Sequence, residues 1–166
     1  MERVAKVNWT PKSLAIHLKA SPCASLNRDL IASLEGETPI GKDGSHWSIG
    51  IKRGKREDLG GVSFRSAMEA NYCRYLNYIG ARWEYEPRVF DFLPFYPYRA
   101  NSTYKPDFYL PDTDEYIEVK GYMTRQSKTK LKRMAKHYPE IKIWLVSTDE
   151  MKEIERKLGR VIPGWE

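Results

Sequence analysis

The segment YKPDFYLPDTDEYIEVKG, residues 104–121, constrains the fold more than any other stretch of the chain. Pro106 holds the approach to Asp107 extended. Residues 107–110 then read as a short strand ended by Pro111, and residues 112–115 as a polar turn. The next five residues alternate as a second strand. Glu118 and Lys120 share one face with Tyr116, while Ile117 and Val119 point to the other face and can pack on a core. If the two strands pair through the turn, Asp107 comes alongside Glu118. The chain is thereby committed to a β-sheet with charged groups gathered at one end.

The rest of the sequence supplies layers to cover that sheet. Ser66 and Glu69 fit a capping box, and apolar residues recur at Met68, Tyr72, Tyr75, Leu76 and Ile79 before Gly80. Residues 81–87 and 88–92 read as strands around Pro87, followed by a proline-rich loop. Residues 127–138 form a strongly basic helix with Leu131, Met134 and Ala135 on its apolar side. The run IKIWLV, residues 141–146, reads as a central strand covered on both faces. Residues 149–158 read as a last helix. From Ser66 onward the order is α-β-β-β-α-β-α, which predicts an α/β (α+β) fold with a mixed central sheet flanked by helices.

Upstream the pattern is weaker. Residues 13–20 and 26–34 are short apolar-periodic pieces, read as two small helices that form a lid over one end of the core or a DNA-contacting arm, the lid being favoured. Residues 41–61 are rich in glycine and charge and read as loop or hairpin. The expected organisation is an N-terminal helical and loop extension over residues 1–60 and a core with a C-terminal helix and tail over residues 61–166.

Bulk properties exclude several classes. With 166 residues, 41% hydrophobic and including five Trp, eleven Tyr and five Phe, the chain can build one proper core and is not a disordered polymer. Cys23 and Cys73 make no disulfide framework, and His17, His46 and His137 show no ligand spacing, so a reducing compartment is expected and zinc is not. No apolar signal core or membrane-spanning run is present, which predicts an intact cytoplasmic protein. The net charge of +6, from 28 Lys and Arg against 22 acids, favours a polyanionic partner.

Two carboxylates held close repel each other and raise each other's pKa unless a cation stands between them. Mg²⁺ or Mn²⁺, with hard oxygen ligands, removes the conflict, can polarise a phosphate oxygen, and gives Lys120 a role beside it. The plainer reading makes Asp107 a turn cap and Glu118–Lys120 a charge pattern on a wet face. Glu69 is open in the same way, as a third metal-facing acid or as the capping partner of Ser66.

Taken in order, FRSAMEANYCRYLNYIGARWEYEP, TYKPDFYLPDTDEYIEVKG and HYPEIKIWLV resemble the PD-(D/E)XK nuclease superfamily, and within it the phage endonuclease I-type Holliday-junction resolvases. The shared motifs fall at residues 65–69, 83–86, 104–111, 118–121 and 138–140, and the VIPGWE tail is similar to an ending in that family. The resemblance spans residues 64–146 and leaves residues 1–60 and the loop 93–103 outside. It implies a restriction-endonuclease-like core with Glu69, Asp107 and Glu118 as metal ligands, Val119 lending its carbonyl, and Lys120 as the catalytic lysine beside those three acids. It favours the metal role for Glu69.

The basic helix begins directly after Glu118–Gly121, so Arg125, Lys128, Lys130, Lys132, Arg133 and Lys136 are expected to bind phosphates rather than form a merely solvated face. Lys52, Arg53, Lys55 and Arg56 form a second cluster able to clamp another duplex arm. The aromatics of residues 95–104 either stack on unpaired bases or, the commoner case, pack over the core. The reading that emerges is a Mg²⁺-dependent, structure-selective endonuclease on four-way or other branched DNA, with a homodimer implied by symmetric cutting. The alternatives are another PD-(D/E)XK endonuclease, of restriction, homing or transposition type, acting on duplex DNA, and a non-catalytic DNA-binding module of the same fold.

Overall fold

The computed structural model describes residues 52–97 and 102–166. The two helices expected at residues 13–20 and 26–34 lie outside the described residues. In chain order the elements are β1 (Gly54–Arg56), a single 3-10 turn (Glu57–Leu59), β2 (Val62–Phe64) and α1 (Ala67–Tyr78). Next come β3 (Glu84–Tyr85), β4 (Phe90–Asp91), β5 (Thr103–Tyr104), β6 (Phe108–Leu110) and β7 (Glu115–Lys120). The chain closes with α2 (Arg125–His137), β8 (Lys142–Ser147) and α3 (Thr148–Leu158).

The central sheet is mixed, in the order β3-β6-β7-β8. β6 and β7 form the antiparallel hairpin expected from the sequence, with Phe108 opposite Ile117 and Leu110 opposite Glu115. Asp114 takes a left-handed φ of 54° in the turn, a conformation that Asp tolerates better than most residues, and accepts a hydrogen bond from the Tyr109 hydroxyl. β7 and β8 are parallel, so a crossover must join them, and α2 provides it.

Alternation along β7 splits the core in two. Ile117 and Val119 pack with Phe108, Val146 and the buried residues of α1 and α3, while Tyr116 packs with Phe90, Phe92, Tyr104, Leu131, Met134 and Ile143 beneath α2. The mixed α+β fold flanked by helices is therefore as expected, but several details differ. IKIWLV is covered on both faces, yet β8 is an edge strand among the described residues, because its one ladder partner is β7. Periodicity reports how many faces are buried, and says nothing of how many hydrogen-bonded neighbours a strand has. The strands around Pro87 shrink to two-residue pieces in different sheets: β3 joins β6, and β4 pairs with β5, which was read as loop. The face of Glu118 is not wet, since residues 116–119 are all buried.

α1 is buried almost all round. Residues 69–76 are inaccessible, including Asn71 and Arg74. Arg74 meets Asp58 at 2.7 Å and Glu166 at 3.1 Å, and Asn71 accepts from the Glu166 amide, so the β1–β2 hairpin and the tail are tied to one helix. Gly80, with φ +71°, ends the helix in a left-handed conformation that only glycine adopts cheaply.

Phe108 sits at the centre of the larger core, with ring centroids 5.4–6.3 Å from those of Phe64, Tyr72, Trp83 and Tyr85. Phe108→Ala should lower the unfolding free energy by about 3–5 kcal/mol, measured as a fall in the urea midpoint with little change in slope.

Candidate functional site

A cleft of about 280 Å³ opens where the end of β7 meets the start of α2. Its walls come from four places: Arg65 before α1, Thr103 to Lys105 around β5, the β6–β7 hairpin with Asp107, Glu118 and Lys120, and the first turns of α2 with Thr124, Gln126, Ser127 and Lys130. Thr124 is the N-cap of α2 and accepts from the Ser127 amide, so the helix begins two residues earlier than its apolar period suggested.

Hairpin register does the placing. Phe108 faces Ile117, and the residue before it, Asp107, is carried next to Glu118. Asp107 is 5% exposed and Glu118 6% exposed. Asp107 Oδ2 accepts the Val119 amide at 2.8 Å. Glu118 Oε2 accepts from the Tyr104 hydroxyl at 3.0 Å, and its Oε1 from Lys120 Nζ at 3.1 Å.

The electrostatics follow from crowding like charges out of water. Burial, then the charges of Glu118 and Glu69, push the Asp107 carboxyl up to about 8, against the Val119 amide and Lys120. Burial pulls the Lys120 ammonium down, but Glu118, and after it Asp107 and Glu69, outweigh that and hold it above its ordinary value. Burial and Glu118 together raise the Tyr104 phenol far above its usual range, so it remains a hydrogen-bond donor.

Glu69 takes the capping role considered for it only in part. It is 6% exposed, and its charge is felt at Asp107. Its amide donates to Ser66 Oγ at 3.2 Å, the N-cap contact. Its carboxylate, however, accepts from Ser66 Oγ, from the Arg65 amide at 2.9 Å and from the Tyr85 hydroxyl at 2.6 Å. Both oxygens are thus engaged, by Arg65 and Ser66 just before α1 and by Tyr85 of β3. The full reciprocal box occurs instead at Ser147 and Glu150, at the start of α3.

Asp107 and Glu118 offer hard oxygen donors whose mutual repulsion a divalent cation would relieve, so the donor chemistry fits Mg²⁺ or Mn²⁺. Among the described residues no group of three or more His, Cys, Asp or Glu side chains is arranged as a ready-made metal cage, consistent with Glu69 being turned to Ser66 and Tyr85.

Of the basic residues singled out in the sequence, Lys130 lines the cleft. Arg125, Lys132 and Lys136 are exposed along α2, and Lys128 is half-buried. Arg133 lies over the Tyr96 ring at 4.3 Å, next to Phe95 stacked on His137. Lys52, Arg53 and Lys55 are exposed on the β1 side, while Arg56 is drawn to Glu166 at 2.6 Å. Of the aromatics at residues 95–104, Tyr104 is core, Tyr96 packs against the same cluster and Phe95 stays 45% exposed, while Tyr98 lies outside the described residues. Sequence reasoning missed Tyr104, Tyr85, Arg65 and Lys105. Each belongs to the site through a contact between distant elements, and the motifs that contain them, at residues 65–69, 83–86 and 104–111, assigned them no role.

The folded protein keeps the Asp107 proton up to about pH 8, whereas the unfolded chain releases it near pH 4. Stability contributed by this group is therefore complete below about pH 4 and lost as pH rises through 8. The melting temperature of the metal-free protein should fall by several degrees between pH 5 and 8.5. Asp107→Asn, which keeps an acceptor for the Val119 amide but no charge, should flatten that decline in a series of thermal melts.

Comparison with known proteins places this architecture in a family. The model of the Phage endonuclease I family matches residues 51–159. The chain is 31% identical over 84 residues to Endonuclease I of Escherichia phage T7, covering 51% of this chain and 54% of that protein. It thus spans about half the length of the curated relative it matches. No solved structure matches it. The family match covers β1 through α3 and so includes every wall of the cleft. This chain belongs to the phage endonuclease I family.

Proposed function

We propose that the chain is a divalent-cation-dependent DNA endonuclease of the PD-(D/E)XK type that cuts branched DNA, four-way junctions included, by hydrolysing phosphodiesters. The observation that carries the reading is the burial of Asp107 beside Glu118 at one end of the hairpin, with Lys120 on Glu118 and a basic helix starting at the same cleft. Such an arrangement raises a carboxyl pKa strongly, as active sites do. Family membership supports the nuclease class.

In this reading Asp107, Glu118 and the Val119 carbonyl would hold the cation, whose chemistry when bound would be to polarise a phosphate oxygen and acidify water. Glu69 would join as a third acid by releasing Ser66, the Arg65 amide and the Tyr85 hydroxyl. Tyr104 keeps Glu118 oriented, as a supporting hydrogen bond does for a metal ligand. Lys120 orients the attacking water or neutralises charge on the pentavalent phosphorus as the in-line displacement proceeds. Lys130 and the exposed cations of α2 grip neighbouring phosphates without reading bases. Cutting a junction symmetrically calls for two sites, hence a homodimer.

With Mg²⁺, a labelled four-way junction should be cut while a linear duplex of matched sequence persists. Asp107→Asn and Lys120→Ala should each slow cleavage by about 100-fold or more, yet still shift the junction on a native gel. Mn²⁺ should raise the melting temperature of the wild type and not of Asp107→Asn. A wild type that cuts no DNA with any divalent ion would sink the proposal, and cutting of plain duplex with junctions ignored would replace it with a duplex-specific endonuclease.

A further inference from the structure

Two cations on the cleft wall have no role in the scheme above. Arg65 comes from the junction of β2 and α1, Lys105 from the link between β5 and β6, and both line the cleft with Asp107 and Glu118. They converge on a single acid: Arg65 pairs with Glu86 Oε1 and Lys105 with Glu86 Oε2. The site's own carboxylates draw instead on the Val119 amide, Tyr104 and Lys120.

The geometry of the bridge is specific. Glu86 is not a wall of the cleft, and its side chain is 16% exposed, against 55% for Arg65 and 33% for Lys105. The acid therefore stands behind two cations that face the opening. Its seat is built from backbone. The Glu86 amide donates to the Asp107 carbonyl at 2.8 Å, one step past the Tyr85–Phe108 pair of the sheet. Glu86 also has a φ of +49°, a left-handed conformation that costs a non-glycine residue about 1 kcal/mol. A half-buried carboxylate in strained backbone, fastened to the residue that supplies the site's acid, sets the position of both cations relative to Asp107. Two positive charges against one negative leave the group at +1, so it still attracts an anion.

We propose that Arg65 and Lys105, aligned by Glu86, form a second phosphate-binding subsite, which takes the phosphodiester neighbouring the one held at Asp107 and Glu118. This rests on the nuclease reading and adds to it a fixed point for the strand. Arg65 supplies a planar fork suited to phosphate oxygens, and Lys105 a point charge. Glu86 is a positioning residue: it touches neither DNA nor cation cofactor, and acts through the two side chains it spaces.

The test is equilibrium binding of the full chain to a fluorescent four-way junction and a linear duplex, in EDTA, over a series of salt concentrations. Each phosphate contact contributes about one unit to the slope of log Kd against log salt. Lys105→Gln should lower the junction slope by about 1, the Arg65→Gln, Lys105→Gln double variant by up to about 2, and Lys105→Arg should restore it. Glu86→Gln retains both cations, so the slope should persist while Kd weakens severalfold. Lys105→Gln leaves Glu86 its Arg65 partner and should melt cooperatively, so it decides the matter even if the double variant does not. A wild-type slope and Kd in Lys105→Gln would overturn the subsite, and so would tighter binding by Glu86→Gln, which would make Glu86 a mask rather than a support. A wild type that binds neither DNA would count against the nuclease reading itself. Wild-type binding and cleavage with an unaltered Lys105→Gln slope would remove the subsite alone.

Discussion

The carboxylate of Asp107 accepts the amide hydrogen of Val119 across the β6–β7 hairpin at 2.8 Å, and the organisation of the sheet and of the cleft both turn on that register. A slip of one residue would send Ile117 and Val119 to the face of α2 and bring Glu118 under α1. In the register adopted, the apolar residues of β7 meet Phe108 and Val146, and the acids arrive together beneath α2. One set of alternating side chains thus builds the core and the charged cleft at once.

What this arrangement costs is visible in the groups around it. Asp107 is driven toward its protonated form, and Tyr104 and Tyr85 are committed as donors to Glu118 and Glu69. Two of the acids therefore have a phenol within hydrogen-bond reach, and the third has a backbone amide. Buried charge is tolerated when it is paired in this way. The paired acids are held by elements that are themselves rigid: α1, inaccessible through most of its length, and a hairpin whose strands carry the fully buried Phe108 and Ile117.

Much of the fold was legible because its signals are local. Ser66 before an apolar-periodic run and Gly80 after it mark α1, Pro106 and Pro111 bracket β6, and the turn read at 112–115 falls one residue earlier, at 111–114, between Leu110 and its partner Glu115. The edge position of β8 was not legible, since a run such as IKIWLV reports burial of two faces and not the number of ladder partners. Nor was the pairing of β4 with β5, two-residue strands separated by a long loop, in which side-chain packing of Phe90 on Tyr104 and Tyr116 decides the contact.

For the site, the division follows the same line. Spacing alone determined that Glu118 and Lys120 share a face and that Asp107 can join them, because strand period and turn length are properties of neighbouring residues. Only the tertiary structure decided that this face is covered rather than wet, that Tyr104 completes Glu118, and that Glu69 rests on Ser66 and Tyr85. It alone brought Arg65 and Lys105, forty residues apart, onto Glu86. Those contacts join elements distant in the chain, and their strength comes from water excluded by packing, which no local pattern of residues encodes.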